Sequence, residues 1–463
     1  MKWVLYNLLF AAVYPFLLPG FLLRMLRRGG YAARMGDRFA LYPEGLFGKD
    51  RPLFDSHKAN GRRQTGDFVW IHAVSVGEVQ VAGQLMREWR KVEPDVRFCF
   101  STTSSTGWKM AEKEVAANDV LIYNPLDFPN FVKSALRTIR PRAIVLTESE
   151  IWPNFILQAK KMGVPLFLIN ARVSDRSAPR YKAAKWFFGE VLSCFTRIFA
   201  QSDLDKARLV AAGAPADMVE VTGSFKFDVA RRNEAKEKEL REWTGEGRIL
   251  LGGSTWPGED EVLLKIYRGI VEASGSPGVR ALPLLVIAPR HFEKADAIEA
   301  NIRKYGFDCI RRSRGEKGAL HCTTTTSGFD CPPVYLADTT GELMGLYGIA
   351  DVVFVGKSLC ARGAQNMIEP CLCGKPTLVG PYTENFRPVM SDLLASDAIV
   401  QVRDAKELEE KIREGLGGLG GLGGLEGLGG LGGLGGLGAR AKAAVEKRLG
   451  VVAKCVSEIR GAL

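Results

Sequence analysis

A series of short apolar runs, each followed by residues at helical spacing, constrains this chain more than any other feature. In the first half they fall at 68–74, 96–100, 143–146, 164–169, 198–200 and 219–221. A charged stretch, 231–242, follows without one. The second half resumes at 249–251, 284–287, 334–336, 352–355 and 377–379. The runs are apolar throughout rather than alternating, so both faces of each strand must be covered. That predicts parallel strands with crossover helices. The expected fold is α/β: two doubly wound halves with a hinge at 223–246 and a substrate cleft between them.

At 463 residues the chain has ample core for two such halves. Its net charge of +11 suits an anionic membrane surface or a phosphorylated substrate. No zinc-finger spacing or RNA-binding signature points to nucleic acid. The nine cysteines are scattered, and several, such as Cys99, lie in apolar runs, as reduced buried thiols do. Cys371 and Cys373, with the distant His321 and Cys322, make only a weak case for a metal, and none is expected.

The ends depart from this pattern. Residues 3–23 are mostly apolar, long enough to cross or enter a bilayer, although Pro15, Pro19 and Gly20 weaken a straight helix. Arg24, Arg27 and Arg28 follow at once, which puts that flank in the cytoplasm. A retained membrane anchor, 1–28, is expected. The alternative is an amphipathic helix of the first domain; the lack of any acidic residue before Asp37 counts against it. Residues 415–438 repeat Gly-Gly-Leu, broken by Glu426, and read as a flexible insertion. A C-terminal helix is expected within 439–463. The domains are then 29–222 and 247–414.

Residues with chemistry collect where the runs end. After 68–74, Ser75 and Gly77 stop the strand and Glu78 opens a helix. Open α/β sheets place ligands at this edge. A carboxylate there suits a general base, or it only complements the helix dipole. Glu148 and Glu150 follow the run 143–146. One could reach the cleft while the other caps the next helix. Lys226 follows a Gly-Ser turn at the hinge and can reach a phosphate. Leu250-Leu251-Gly252-Gly253-Ser254-Thr255 before Pro257 predicts a strand, a glycine turn and a helix start, with Ser254 and Thr255 as possible phosphate contacts. Arg290 lands at the edge of the run 284–287. Thr340-Gly341-Glu342 begins another helix. Asn366 and Glu369 share a helix face, where the Glu could hold the hydroxyls of a ribose. A one-phosphate donor could be neutralised by Arg and Lys alone.

Assembled in order, these segments resemble the 3-deoxy-D-manno-octulosonic acid (Kdo) transferases of lipopolysaccharide synthesis. The matching segments are His72-Ala73-Val74-Ser75-Val76-Gly77-Glu78, Thr147-Glu148-Ser149-Glu150-Ile151-Trp152-Pro153-Asn154 and Asn170-Ala171-Arg172-Val173-Ser174. They continue through Thr222-Gly223-Ser224-Phe225-Lys226-Phe227-Asp228, Pro289-Arg290-His291, Gly341-Glu342-Leu343-Met344, Arg362-Gly363, Asn366 to Glu369 and Gly380-Pro381. The resemblance implies a GT-B fold, two Rossmann-like domains facing a cleft. It implies transfer of Kdo from CMP-Kdo, without a cofactor, to a lipid A precursor at the cytoplasmic face of the inner membrane. It implies Glu78 as base and Glu148 and Lys226 as transition-state stabilisers. Pro289, Arg290, Thr340, Gly341, Glu342, Asn366, Met367, Ile368 and Glu369 would bind CMP. Gln365 stands where the family usually has a histidine. Arg24, Arg27, Arg28, Arg34 and Arg38 would meet the acceptor's phosphates and membrane phospholipid. No protein partner is implied. The alternatives are a GT-B transferase of another nucleotide sugar, or a membrane-anchored sugar-binding protein without turnover.

Overall fold

The computed structural model describes residues 2–28, 32–48, 67–229, 234–273, 282–316, 323–324, 330–416 and 434–463. The chain forms two compact units, Met1–Phe225 with Gly450–Leu463, and Lys226–Leu449.

The first unit holds a parallel sheet of β1 (Phe68–His72), β2 (Arg97–Thr102), β3 (Val120–Tyr123), β4 (Pro141–Thr147), β5 (Leu166–Ala171), β6 (Arg197–Ala200) and β7 (Val219–Val221). Its order is β3-β2-β1-β4-β5-β6-β7, so the winding reverses between β1 and β4. Both faces are covered. Trp70, Leu146 and Leu168 pack under the Pro129–Ile139 and Pro153–Lys161 helices. Their neighbours Val69, Ile71, Val145 and Phe167 pack under the Val76–Val92 helix. This two-sided burial is why the runs are apolar throughout.

The second unit repeats the scheme with β8 (Ile249–Thr255), β9 (Leu284–Pro289), β10 (Cys309–Arg311), β11 (Thr323–Thr324), β12 (Asp330–Cys331), β13 (Val334–Leu336), β14 (Val352–Val355), β15 (Thr377–Val379) and β16 (Val400–Gln401). The parallel order is β10-β13-β9-β8-β14-β15-β16, reversing between β8 and β14; β11 and β12 form a separate antiparallel pair.

Several expectations are corrected. β3, β10 and β16 have no counterpart among the predicted runs. All three are edge strands with a single neighbour; β10 and β16 are short and partly polar, whereas β3, Val-Leu-Ile-Tyr, is an apolar run that the sequence reading passed over. Gly252 and Gly253 lie inside β8, not in a turn, and the helix begins at Glu259. A Cβ on Gly252 would stand 2.5 Å from Leu263 Cδ1, and one on Gly253 2.6 Å from the Tyr347 hydroxyl. These glycines let two side chains press on the strand. Part of the expected hinge is core, since Leu240 and Trp243 of the Glu234–Thr244 helix are buried in the second unit. The expected C-terminal helix is two, Leu437–Glu446 in the second unit and Val451–Gly461 in the first, parted at Gly450 with φ 84°. In the Gly-Leu repeat, Leu416, Leu434 and Leu437 are buried in the second unit's core; 417–433 lie outside the described residues.

The expected anchor is also corrected. Helix α1 (Lys2–Arg28) forms, but among the described residues no helix is long and apolar enough to cross a membrane. One face of α1 docks on the first unit. Trp3 Nε1 donates to Glu190 (2.7 Å), the Tyr6 hydroxyl to Asp127 (3.0 Å), and Asn154 Nδ2 to Asn7 (2.7 Å). Phe10 packs edge-on against Phe128. The other face, with Val4, Leu5, Leu8, Leu9, Val13 and Phe16, is exposed. The side chains of Arg24, Arg27 and Arg28 lie outside the described residues.

Candidate active site

In the first unit the Glu78 carboxylate sits where the winding reverses. Ser75 caps the Val76–Val92 helix by accepting the Glu78 N–H (3.2 Å). The carboxylate reaches back to the Val74 N–H (3.0 Å) and the Ser75 hydroxyl (2.9 Å). From β4, the Thr147 hydroxyl lies 3.0 Å from both Glu78 Oε2 and the His72 carbonyl. Glu78 is thus both a helix-capping residue and a carboxylate held in place from two strands, with 8% of its surface exposed. One lone pair of Oε1 has no donor among these contacts.

Glu148 follows β4 in the left-handed region (φ 51°), and Asn170, at the end of β5, shares that conformation (φ 51°). Arg172 Nε approaches Glu148 Oε2 at 2.8 Å, and Asn170 Nδ2 approaches Oε1 at 3.4 Å. Glu150 accepts from Trp152 Nε1 (2.8 Å). It lies 3.8 Å from Nε2 of the buried His72, an atom with no hydrogen-bond partner among the described residues. Neither glutamate caps the next helix. Asp127 does, accepting the N–H groups of Asn154 (3.0 Å) and Phe155 (2.8 Å). Burial pushes the Asp127 carboxyl up to about 7 against those donors and the Tyr6 hydroxyl.

In the second unit, Arg290 directly follows β9 and is exposed, and its guanidinium meets no partner among the described residues. Its backbone N–H bonds the Thr255 carbonyl (3.0 Å), which ties it to the edge of β8. Ser254 (φ 52°) and Thr255 are buried there. Thr340 and Gly341 are exposed beyond β13, while Glu342 is buried. Burial pushes the Glu342 carboxyl up, but Arg312, Thr339 and Lys236 outweigh it and hold it below its usual range. Asn366 Nδ2 donates to Glu369 (3.0 Å) just ahead of the Ile368–Leu372 helix, and burial raises the Glu369 carboxyl. Met367 and Ile368 are core residues, so only their backbone can serve a ligand. The Lys226 ammonium lies 4.4 Å over the Phe386 ring and 3.3 Å from the Asn385 carbonyl.

The expected basic surface is only partly present. Arg38 is buried, donates to the Thr103 carbonyl (2.7 Å) and stacks on Tyr123. Arg34 is paired with Asp37 at 3.1 Å. Neither is a free cation for a headgroup. Exposed Arg172 stands beside Glu148 instead. Sequence reasoning also missed Glu259. It is fully buried and accepts N–H groups from Trp256, Lys357, Ser358 and Leu359, which joins the loops after β8 and β14. Its place in a first helical turn was the only local signal. For metals, no group of three or more His, Cys, Asp or Glu is assembled among the described residues. Cys371 and Cys373 are buried, and His321 and Cys322 lie outside that set.

The fold resembles a glycosyltransferase from Rickettsia africae, with a TM-score of 0.53 over 85% of this chain and 97% of that one, at 13% identity. The family model for 3-deoxy-D-manno-octulosonic-acid transferase (kdotransferase) matches residues 33–229. The 3-deoxy-D-manno-octulosonic acid transferase of Bordetella pertussis is 34% identical over 387 residues, 81% of this chain and 84% of that protein. That of Haemophilus influenzae is 32% identical over 351 residues, covering 75% and 78%. With these likenesses spanning both units, the chain belongs to the 3-deoxy-D-manno-octulosonic acid transferase family.

Proposed function

We propose that this enzyme transfers Kdo from CMP-Kdo to a sugar hydroxyl of a lipid A precursor with inversion at the anomeric carbon. The carrying observation is Glu78, buried at the reversal of the first sheet with its carboxylate held by Val74, Ser75 and Thr147. In this reading its open Oε1 lone pair takes the proton as the acceptor oxygen attacks the anomeric carbon. The bond from that carbon to the phosphate oxygen breaks, and CMP departs with the electron pair. Arg290, free and exposed at the edge of β9, meets the donor's phosphate. The exposed Thr340–Gly341 backbone and Glu369 serve the nucleoside. Lys226 and Glu148 stabilise charge as the bond breaks.

The enzyme works at the cytoplasmic face of the inner membrane, held there by the exposed stripe of α1 lying in the interface rather than crossing it. Arg24, Arg27 and Arg28 follow that stripe in the sequence and would meet anionic headgroups. Mass spectrometry of a lipid A precursor incubated with enzyme and CMP-Kdo tests the function. A mass gain of one or more Kdo units is expected from the native protein and not from Glu78→Gln. No gain with the native protein would refute the reading.

A further inference from the structure

Glu148 and Asn170 are neighbours in an uncommon state. Both are non-glycine residues in the left-handed region, at the C-terminal ends of adjacent parallel strands. For a glutamate that conformation is unfavourable, and such strain persists where surrounding contacts impose it. One of these contacts comes from Asn170, which is wholly buried. Its Nδ2 faces Glu148 Oε1 at 3.4 Å. Its Oδ1 accepts the Phe225 N–H at 3.1 Å, and its backbone carbonyl accepts Gln201 Nε2 at 2.9 Å. The β5–β6 register slips between Leu168 and Ala171, where Asn170 leaves the regular ladder. Arg172, two residues on, holds the other oxygen of Glu148.

We propose that Asn170 is a positioning residue for the transfer. Its amide N–H₂ sets the orientation of the Glu148 carboxylate, while its amide oxygen fixes Phe225, the residue before Lys226. This rests on the reading of Glu148 as a group acting in the transition state. A buried amide suits the task because it donates to one partner and accepts from another without carrying charge. Asparagine also tolerates the left-handed backbone better than most residues.

The test is Asn170→Asp in the full-length protein. This change keeps an acceptor for Phe225 and a residue type that accepts the conformation, but it sets a second carboxylate beside Glu148. Arg172 is a cation already paired with Glu148 there. At pH 8 kcat should fall roughly 10- to 100-fold, with a much smaller change in KM for CMP-Kdo. Adjacent carboxylates share a proton as pH falls, and the protonated one can again donate. The wild-type to variant kcat ratio should therefore shrink from pH 8 toward pH 6. In a Glu148→Gln background the same change should cost no more than about twofold. A ratio independent of pH, or an undiminished loss in that background, overturns the proposal. Should Asn170→Asp fail to fold, Asn170→Gly keeps the backbone conformation and enters the same cycle, where additivity with Glu148→Gln is the overturning result. Full kcat in Glu148→Gln alone would remove the role of Glu148 itself, a separate failure from additivity.

Discussion

Thr147, the last residue of β4, places its hydroxyl 3.0 Å from Glu78 Oε2, so the strands flanking the reversal of the first sheet share one carboxylate. The helix-cap bonds from Ser75 and Val74 fix the other approach. Glu78→Gln preserves size and most of these contacts but removes the proton acceptor. Turnover should fall by about 100- to 10,000-fold with CMP affinity kept. Thr147→Val, which removes one hydrogen bond to a charged group, should cost about tenfold in kcat. Steady-state kinetics with titration calorimetry of CMP checks both. Near-native turnover in Glu78→Gln would take the base role from this residue.

Arg290 differs from several other cations of the second unit. Lys357 lies over Trp256, Arg362 over Tyr382 and Lys226 over Phe386, whereas Arg290 is exposed with no protein partner among the described residues. An anionic ligand can take it without first breaking a contact. Arg290→Ala should weaken CMP binding by roughly 1.5–3 kcal/mol, with little change in KM for the lipid acceptor. An unchanged CMP dissociation constant would count against a phosphate contact here.

Asp127 should leave a signature in stability against pH. Burial holds its carboxyl at about 7 in the fold, against about 3.9 in an unfolded chain. Between those values the folded state binds a proton that the unfolded state has lost. Its contribution therefore declines as pH rises from about 4 to about 7 and levels off above. Asp127→Asn removes this titration. The variant Tm minus the wild-type Tm should rise across that window, whatever its absolute offset. A difference flat in pH would show that Asp127 does not titrate there.

Local signals made one part of the site legible and long-range pairing hid the rest. Glu78 could be read because an apolar run, a serine cap and an acidic third helical position lie within a few residues of each other. Asp127 could not, because it caps a helix 27 residues away, and Glu259 binds backbone groups 98 to 100 residues away. Asn170 reaches 22 residues back to Glu148 and 55 forward to Phe225. The central strands were legible because burial on two faces demands unbroken apolar runs; the short edge strands β10 and β16 escape that demand, while β3, apolar from Val120 to Tyr123, was legible and was passed over. Helix α1 misled through its overall apolarity. Trp3, Tyr6, Asn7 and Phe10 follow helical spacing and dock on the protein, which leaves only a stripe where a segment able to cross or enter a bilayer was expected.

That stripe gives a prediction of its own. Leu5 and Leu9 lie one turn apart, 54% and 56% exposed. Burying such a side chain in the interface is worth up to about 1.5–3 kcal/mol. The double change Leu5→Glu with Leu9→Glu should therefore move the protein off anionic vesicles in a flotation assay while Tm stays within a few degrees. Vesicle binding equal to wild type would show that α1 does not carry the membrane contact.

The Gly-Leu repeat separates into parts with different expected costs. Leu416 and Leu434 are buried in one core cluster, and a Cβ on Gly415 would stand 2.9 Å from Leu434 Cδ1, so the ends of 417–433 start close together. A short Gly-Ser linker in place of 417–433 can join them, and closure entropy changes by only about 0.6 kcal/mol per doubling of loop length. Activity and Tm should stay near wild type. Leu437 sits 3% exposed in the same cluster, and Leu434 is 7% exposed. Replacing either by alanine removes buried methyl groups and leaves a cavity, at about 2–5 kcal/mol. Thermal denaturation of the three variants separates the cases: a large Tm loss in the linker variant would mean that 417–433 contribute to the fold, and an unchanged Tm in Leu437→Ala would mean that the flank does not.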